Sequence, residues 1–461
     1  MRGILVNIAR IIVGLTFIFS GFVKAVDPLG TVYKFQDYAE AVGLAGVFPD
    51  WLLTCAAIVL ALTEFSLGIS ILFAMRRKVT TWFALVFMAV MTIITVWIYI
   101  ANPVSDCGCF GDALILTNGE TLLKNIVLTA LTILMVIWHE RMPRLISHSN
   151  RWLVLHYSCI FIVIVAAYSL YYLPLFDFRP YHIGANIPKG MEIPEGAEQP
   201  EFKTTFIMEK NGERKEFTLE EYPDSTWTFI DSKTEVIKPG YEPPIHDFTI
   251  QRISDGEDIT DSVLTAKGYT FLLISPHLET ADDSYFGHID EICDYAHDNG
   301  YGFICLTAST EKGIERWIDI TGAEYTFCNT DETTLKTIIR SNPGLLLLKN
   351  GTVVGKWSHN KLPAEELIKG GKITEKSSFL PKEDMAEKKI AYILMWFVLP
   401  LVLLSIADRL WMWSTWFRNE ESKHKNIFSK LLKKQKQENG KENRSRQLED
   451  EQEPAGGRSS R

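Results

Sequence analysis

Cys107 and Cys109 are separated by one glycine in the segment Pro103-Val104-Ser105-Asp106-Cys107-Gly108-Cys109-Phe110-Gly111-Asp112. Two thiols this close can cycle between dithiol and disulfide where the surroundings are oxidising. A disulfide prefers Cα atoms about 5.5–6 Å apart, closer than alternate residues of an extended chain, so the backbone must bend. Gly108 permits that bend because it lacks a Cβ. The resulting small ring is strained, and strained disulfides exchange readily, which suits a transfer site. A loop this short removes little entropy from the unfolded chain, so a purely structural brace is the weaker reading. Metal binding is weaker again. Two thiols do not complete a zinc shell, and no histidine is near, although Asp106 and Asp112 can offer oxygen ligands.

The loop sits between two of six apolar runs, at roughly 4–23, 51–75, 80–101, 122–138, 152–173 and 390–407. A helix needs about 20 residues to cross a bilayer, so the chain reads as a polytopic membrane protein. The first run contains Arg10 and no clear cleavage site, and reads as a retained helix rather than a signal peptide. Arg76, Arg77 and Lys78 lie in the second connection and Arg141, Arg144 and Arg151 in the fourth, while no Lys or Arg lies between Ile100 and Thr121. That asymmetry predicts cytoplasmic termini in a bacterial inner membrane, with the Cys107 loop and a large segment, 175–388, on the periplasmic side. Net charge is −9; from Arg418 onward 12 Lys and Arg face 8 Asp and Glu, so the tail carries +4 and the rest −13. Nothing in this distribution indicates a nucleic-acid partner; the bilayer itself is the first partner.

Six segments follow. Residues 1–145 form a four-helix membrane domain, with a short amphipathic helix predicted through Val32–Ala41. A fifth span covers 152–174. An irregular, partly β lead-in occupies 176–244, with a hairpin turn at Asn211-Gly212. An α/β domain covers 245–372, a sixth span 389–410, and a basic tail 411–461, disordered at its end. In that tail Ile427, Phe428, Leu431 and Leu432 among lysines suggest either an amphipathic helix on the inner leaflet or a solvated segment, and Trp411, Trp413 and Trp416 an interfacial belt. Strands are expected at 247–250, 269–275, 302–308, 324–328, 344–349 and 352–357, alternating with helices at 284–299, 311–320, 332–341 and 363–369.

This strand–helix order, with Asn342-Pro343 just before a strand, resembles the thioredoxin-like fold, and the resemblance makes Pro343 the candidate cis-proline. The segment after the first core strand, Ser275-Pro276-His277-Leu278-Glu279-Thr280-Ala281-Asp282-Asp283, has no cysteine where that family carries Cys-x-x-Cys. The family's redox activity therefore does not transfer to this position. Cys55 and Cys159 fall in apolar runs and read as small hydrophobes. Cys293, Cys305 and Cys328 form an odd set, in which a Cys305–Cys328 pair is one option.

Arg10 and Glu64 lie inside apolar runs, where charge is costly without a partner, so they form a candidate ion pair if their depths match. The residues from Gly14 through Ser20-Gly21-Phe22-Val23-Lys24 to Asp27-Pro28 resemble the first helix of the DoxX/MauE membrane family. Glu64 with Gly68, and the Cys107-Gly108-Cys109-Phe110-Gly111-Asp112 loop, are similar to its MauE branch. The resemblance implies redox-associated maturation or disulfide formation in an exported thiol-containing client, in the setting of methylamine utilisation, with Cys107 and Cys109 as the catalytic thiols. The DoxX side of the family implies a quinone as the one cofactor to consider. The alternatives are a non-enzymatic assembly scaffold and a subunit of a quinone-linked oxidoreductase complex. The expected architecture is thus a DoxX/MauE-like four-helix bundle with two further transmembrane helices and an α/β thioredoxin-like extracytoplasmic domain.

Overall fold

The structure, a computed structural model, describes the chain except residues 105, 195, 198–200, 211–212, 219–227, 239, 247, 375–376, 381–385, 416–417, 419–428, 435 and 437–461, and the side chains of 201–239. The expected turn at Asn211-Gly212, Trp416, and Ile427 and Phe428 of the tail fall outside the described residues.

Six helices are long and apolar enough to cross a membrane. The first four spans are α1 (Arg2–Val26), α3 (Asp50–Leu72), α4 (Arg77–Ala101) and α5 (Asn118–Ile137), with the short α2 (Pro28–Ala41) between the first two. Helices α1 and α3 approach most closely because glycines line their contact. A Cβ on Gly21 would come within 2.5 Å of the Phe65 nitrogen, and one on Gly68 within 2.7 Å of the Ile18 nitrogen. Val13, Phe17, Ile71, Met88 and Met135 fill the centre of this bundle. The fifth span, α6 (Arg151–Tyr171), packs on α1 and α3. The sixth runs from Ala386 to Thr415, longer than expected, and stacks Phe397 on Phe161 with ring centroids 4.2 Å apart. Its Asp408 carboxylate accepts bonds from the Ser147 nitrogen at 2.7 Å and from Asn150 Nδ2 at 2.6 Å, fixing the span to the connection before α6. Cys55 is exposed on the bundle surface rather than buried.

Beyond α6 come a helical turn, α7 (Ile187–Met191), and a three-stranded antiparallel sheet of β1 (Glu201–Lys210), β2 (Glu213–Thr218) and β3 (Thr228–Lys238), in the order β2-β1-β3. The α/β domain contains β4 (Gln251–Arg252), α8 (Thr260–Leu264), β5 (Tyr269–Ser275), α9 (Phe286–Asp298), β6 (Gly302–Thr307), α10 (Glu311–Thr321), β7 (Thr326–Asn329), α11 (Glu332–Ile338), β8 (Gly344–Lys349), β9 (Thr352–Ser358) and α12 (Ala364–Gly370). Its sheet order is β4-β7-β6-β5-β8-β9, with β5, β6 and β7 parallel and β8 and β9 antiparallel. Parallel strands with crossover helices, closed by a hairpin, make a thioredoxin-like sheet, and the Asn342–Pro343 bond is cis.

Two further expectations change. Of the strand expected at 247–250, residue 247 lies outside the described residues and 248–250 form no strand; the strand here is Gln251–Arg252. Phe248 and Ile250 are buried, but the Ile250 nitrogen donates to Thr260 Oγ1 and its carbonyl accepts from the Ile259 nitrogen, so its backbone bonds go to the following turn instead of a neighbouring strand. Cys305 and Cys328 are free and cannot pair. Leu306, not Cys305, stands opposite Cys328 in the β6–β7 register, which puts the two thiols on opposite faces of the sheet.

Candidate functional site

The Cys107 loop is bounded by two helix ends. Asn102 ends α4 in the left-handed conformation, and Thr117 opens α5 with a capping box closed by Glu120. Asn118 Nδ2 donates to Asn102 Oδ1 and to the Val104 carbonyl, both at 2.8 Å, drawing the two ends together. Between them Gly108 (φ +63°) and Gly111 (φ +51°) take the left-handed turn that favours glycine, and the Gly111 nitrogen donates to the Gly108 carbonyl. Asp106 accepts from the Gly108 nitrogen at 3.0 Å and pairs with Lys34 of α2 at 2.8 Å.

This bend does what the spacing requires: the Cys107 and Cys109 sulfurs lie 2.7 Å apart as free thiols. Helix α2 covers them. Tyr38 donates its hydroxyl to the Cys107 carbonyl at 2.7 Å, and a Cβ on Gly108 would meet the Lys34 stem at 2.9 Å. On the bundle side, Lys24 Nζ donates to the Cys109 carbonyl, to Glu64 and to Ser20, at 2.8, 2.8 and 2.7 Å. Lys124 of α5 lies 4.2 Å from the Phe110 ring centroid. A cavity of about 30 Å³ next to Cys109, lined by Ser20, Lys24, Glu64, Lys124 and Asn125, has the size and polar walls to hold a water.

The thiols are electrostatically unlike. The hydrogen bond from Cys107 lowers the Cys109 pKa; burial opposes it, and Lys124 and Lys24 assist. Cys107 is pushed up, first by donating that bond, then by burial and by the Cys109 charge. Burial and the neighbouring thiols also raise Tyr38. Two cysteines of the α/β domain differ: burial pushes Cys293 and Cys328 up to about 11 each.

Arg10 and Glu64 do not pair. Arg10 donates to the Pro143 carbonyl at 3.0 Å, at the end of the bundle away from the cysteine loop, while Glu64 takes Lys24. The reason is depth: 14 helical residues separate Arg10 from Lys24, about 21 Å at 1.5 Å per residue. Lys24 was legible as a cation closing an apolar run, one turn after Ser20. Lys34, Tyr38 and Lys124 carried no comparable signal, since their place at the loop depends on packing.

The α/β domain meets the same loop. Arg340, between α11 and the cis-proline, binds Asp27 through Nε at 2.9 Å and reaches Asp112 at 3.4 Å. A cleft of about 720 Å³ opens there, with Asp106, Gly108 and Asp112 on one wall and Pro276, His277 and Asn342 on the other. Where a thioredoxin-like domain carries its thiols, this one has hydrogen bonds instead: Ser275 Oγ to Asn342 Oδ1 at 2.6 Å, and Asn342 Nδ2 to the His277 carbonyl at 2.9 Å.

Fold and site together define a polytopic membrane protein with a dithiol loop at the bundle mouth and, against it, a thioredoxin-like domain without a Cys-x-x-Cys motif. Residues 2–138, the bundle with this loop, match the family model described as methylamine utilisation protein MauE. Residues 202–239 match a model described only as a domain of unknown function. No curated protein matches the chain. Among solved structures, a solution structure named as a candidate protein disulfide isomerase from Bacteroides thetaiotaomicron is similar at 16% identity, with a TM-score of 0.20, over 32% of this chain and 86% of that one.

Proposed function

We propose that the protein is a membrane thiol–disulfide oxidoreductase that oxidises an exported client. The observation that carries this reading is the pair of free thiols 2.7 Å apart, with the Cys109 pKa lowered by the hydrogen bond from Cys107 and by Lys124 and Lys24. In the oxidised protein a client thiolate attacks Cys107, the Cys107–Cys109 bond breaks, and Cys109 departs as the thiolate. The lower-pKa thiol is the better leaving group. The second client thiolate then attacks the mixed disulfide, releasing client disulfide and the reduced pair. Reforming the Cys107–Cys109 bond releases two electrons and two protons, which a membrane quinone would accept. The cleft beside Gly108 positions the client; the basic residues Arg76, Arg77, Lys78, Arg141, Arg144 and Arg151 in the opposite connections support a periplasmic cleft in a bacterial inner membrane, with both termini in the cytoplasm.

The test is differential alkylation of Cys107 and Cys109 in membranes across a graded thiol redox buffer, read by mass spectrometry. A pair that titrates reversibly, together with client thiols that stay reduced in membranes carrying Cys109→Ser, is the expected result. A pair locked until the protein is denatured, or one that never forms a disulfide, overturns the reading and leaves an assembly scaffold.

A further inference from the structure

A second cleft, of about 730 Å³, opens between the ends of α6 and the sixth span and the α/β domain. Its height is set by the helices. Tyr172 caps α6, and Lys389 lies within the first turn of the span that begins at Ala386. Both belong to the membrane–water boundary, where headgroups lie.

The lining is cationic. Arg179, Lys356, Lys361 and Lys389 face two acids, Asp177 and Glu366. Arg179 and Lys356 form the buried floor, bound to the same Asp177 carboxylate at 2.7 and 2.6 Å. Lys361 and Lys389 stand over the rings of Tyr172 and Phe176, at 5.9 and 5.8 Å from their centroids. Much of the remaining wall is apolar, with Leu173, Leu175 and Leu380 beside Ser358 and Ser378. Free phosphate would use the cations and leave this wall idle.

We propose that the cleft binds the headgroup of an acidic phospholipid. The phosphate sits between Lys361 and Lys389, and the glycerol and upper acyl chains lie along the leucines. The bound lipid ties the α/β domain to the membrane surface through Lys361, three residues beyond β9. This site is independent of the thiol chemistry.

The full chain in detergent is titrated with phosphatidylglycerol, phosphatidylcholine of the same acyl chains, or glycerol phosphate, and binding is read by native mass spectrometry. Each lysine near an anionic headgroup contributes roughly fivefold, so phosphatidylglycerol should bind about 25-fold more tightly than phosphatidylcholine. The K361Q/K389Q protein should lose that preference, and the K267Q/K312Q protein, which changes two exposed lysines elsewhere, should keep it. In the unaltered protein, phosphatidylglycerol should shield Lys361 and Lys389 from acetylation, a readout that does not depend on how the variant folds. Equal binding of the two lipids, a preference surviving in K361Q/K389Q, unshielded lysines, or equal shielding by glycerol phosphate alone would each overturn the proposal.

Discussion

A thiolate at Cys109 is stabilised first by the hydrogen bond from Cys107 and then by the ammonium groups of Lys124 and Lys24, against the cost of burial. The sign follows: the charged form is favoured in the folded protein, so Cys109 is a nucleophile at neutral pH while Cys107 stays protonated. The iodoacetamide labelling rate of Cys109 in the reduced protein should rise about tenfold per pH unit at acid pH and level off below the ordinary thiol range of about 8.5. Cys107→Ala removes the largest stabilising cause and leaves burial, so the inflection should move up by at least one unit, toward the ordinary thiol range. Labelling rates of the Cys109 peptide between pH 4.5 and 9 decide this. An inflection at or above 8 in the unaltered protein would remove the asymmetry that makes Cys109 the leaving group.

Helices α1 and α3 carry the polar group that meets this loop, and their approach depends on Gly21 and Gly68. A side chain at either position meets backbone atoms of the opposite helix, which cannot swing aside. Gly68→Ala should separate the helices at this crossing and lower stability by about 1–3 kcal/mol, the usual cost of overpacking. A lower thermal midpoint in detergent is the expected readout, and an unchanged midpoint would show that the crossing is loose. Elements of this kind were legible in the sequence because hydropathy and turn residues act locally: the spans, the loop, the alternation of β5 to β8 with helices and the β8–β9 hairpin follow from patterns within about 20 residues. Pairing depth was not. Arg10 and Lys24 lie on the same helix, and only the packing of α3 on α1 decides which of them meets Glu64. The stretch around Phe248 and Ile250 was alternating and buried, as a strand requires, yet the nearby Thr260 hydroxyl took its backbone bond.

The membrane bundle and the α/β domain are joined by contacts that no local pattern encodes. Ser358 and Asn360 donate to the Tyr171 carbonyl at the end of α6, Lys356 holds Asp177, and Arg340 holds Asp27. The last contact reaches the thiols. Asp27 caps α2 by accepting from the Gly30 nitrogen at 2.9 Å, and α2 in turn covers Cys107 through Tyr38 and Lys34. Arg340 is 7% exposed, so removing its charge leaves Asp27 partly desolvated without its cation. Asp27 and Asp112 keep some contact with water, which limits the cost of Arg340→Gln to roughly 2 kcal/mol, below that of a fully buried pair. The consequence should be local: faster hydrogen exchange in α2 and in residues 106–112, no change in β5 or β8, and severalfold faster alkylation of Cys107 as its cover loosens. Arg340→Lys should restore only part of this protection, because one ammonium group cannot span Asp27, Asp112 and the Lys336 carbonyl, which Nε, Nη2 and Nη1 of the guanidinium reach separately. Unchanged exchange in α2 with unchanged Cys107 alkylation would mean that the α/β domain merely rests on the bundle and does not control access to its thiols.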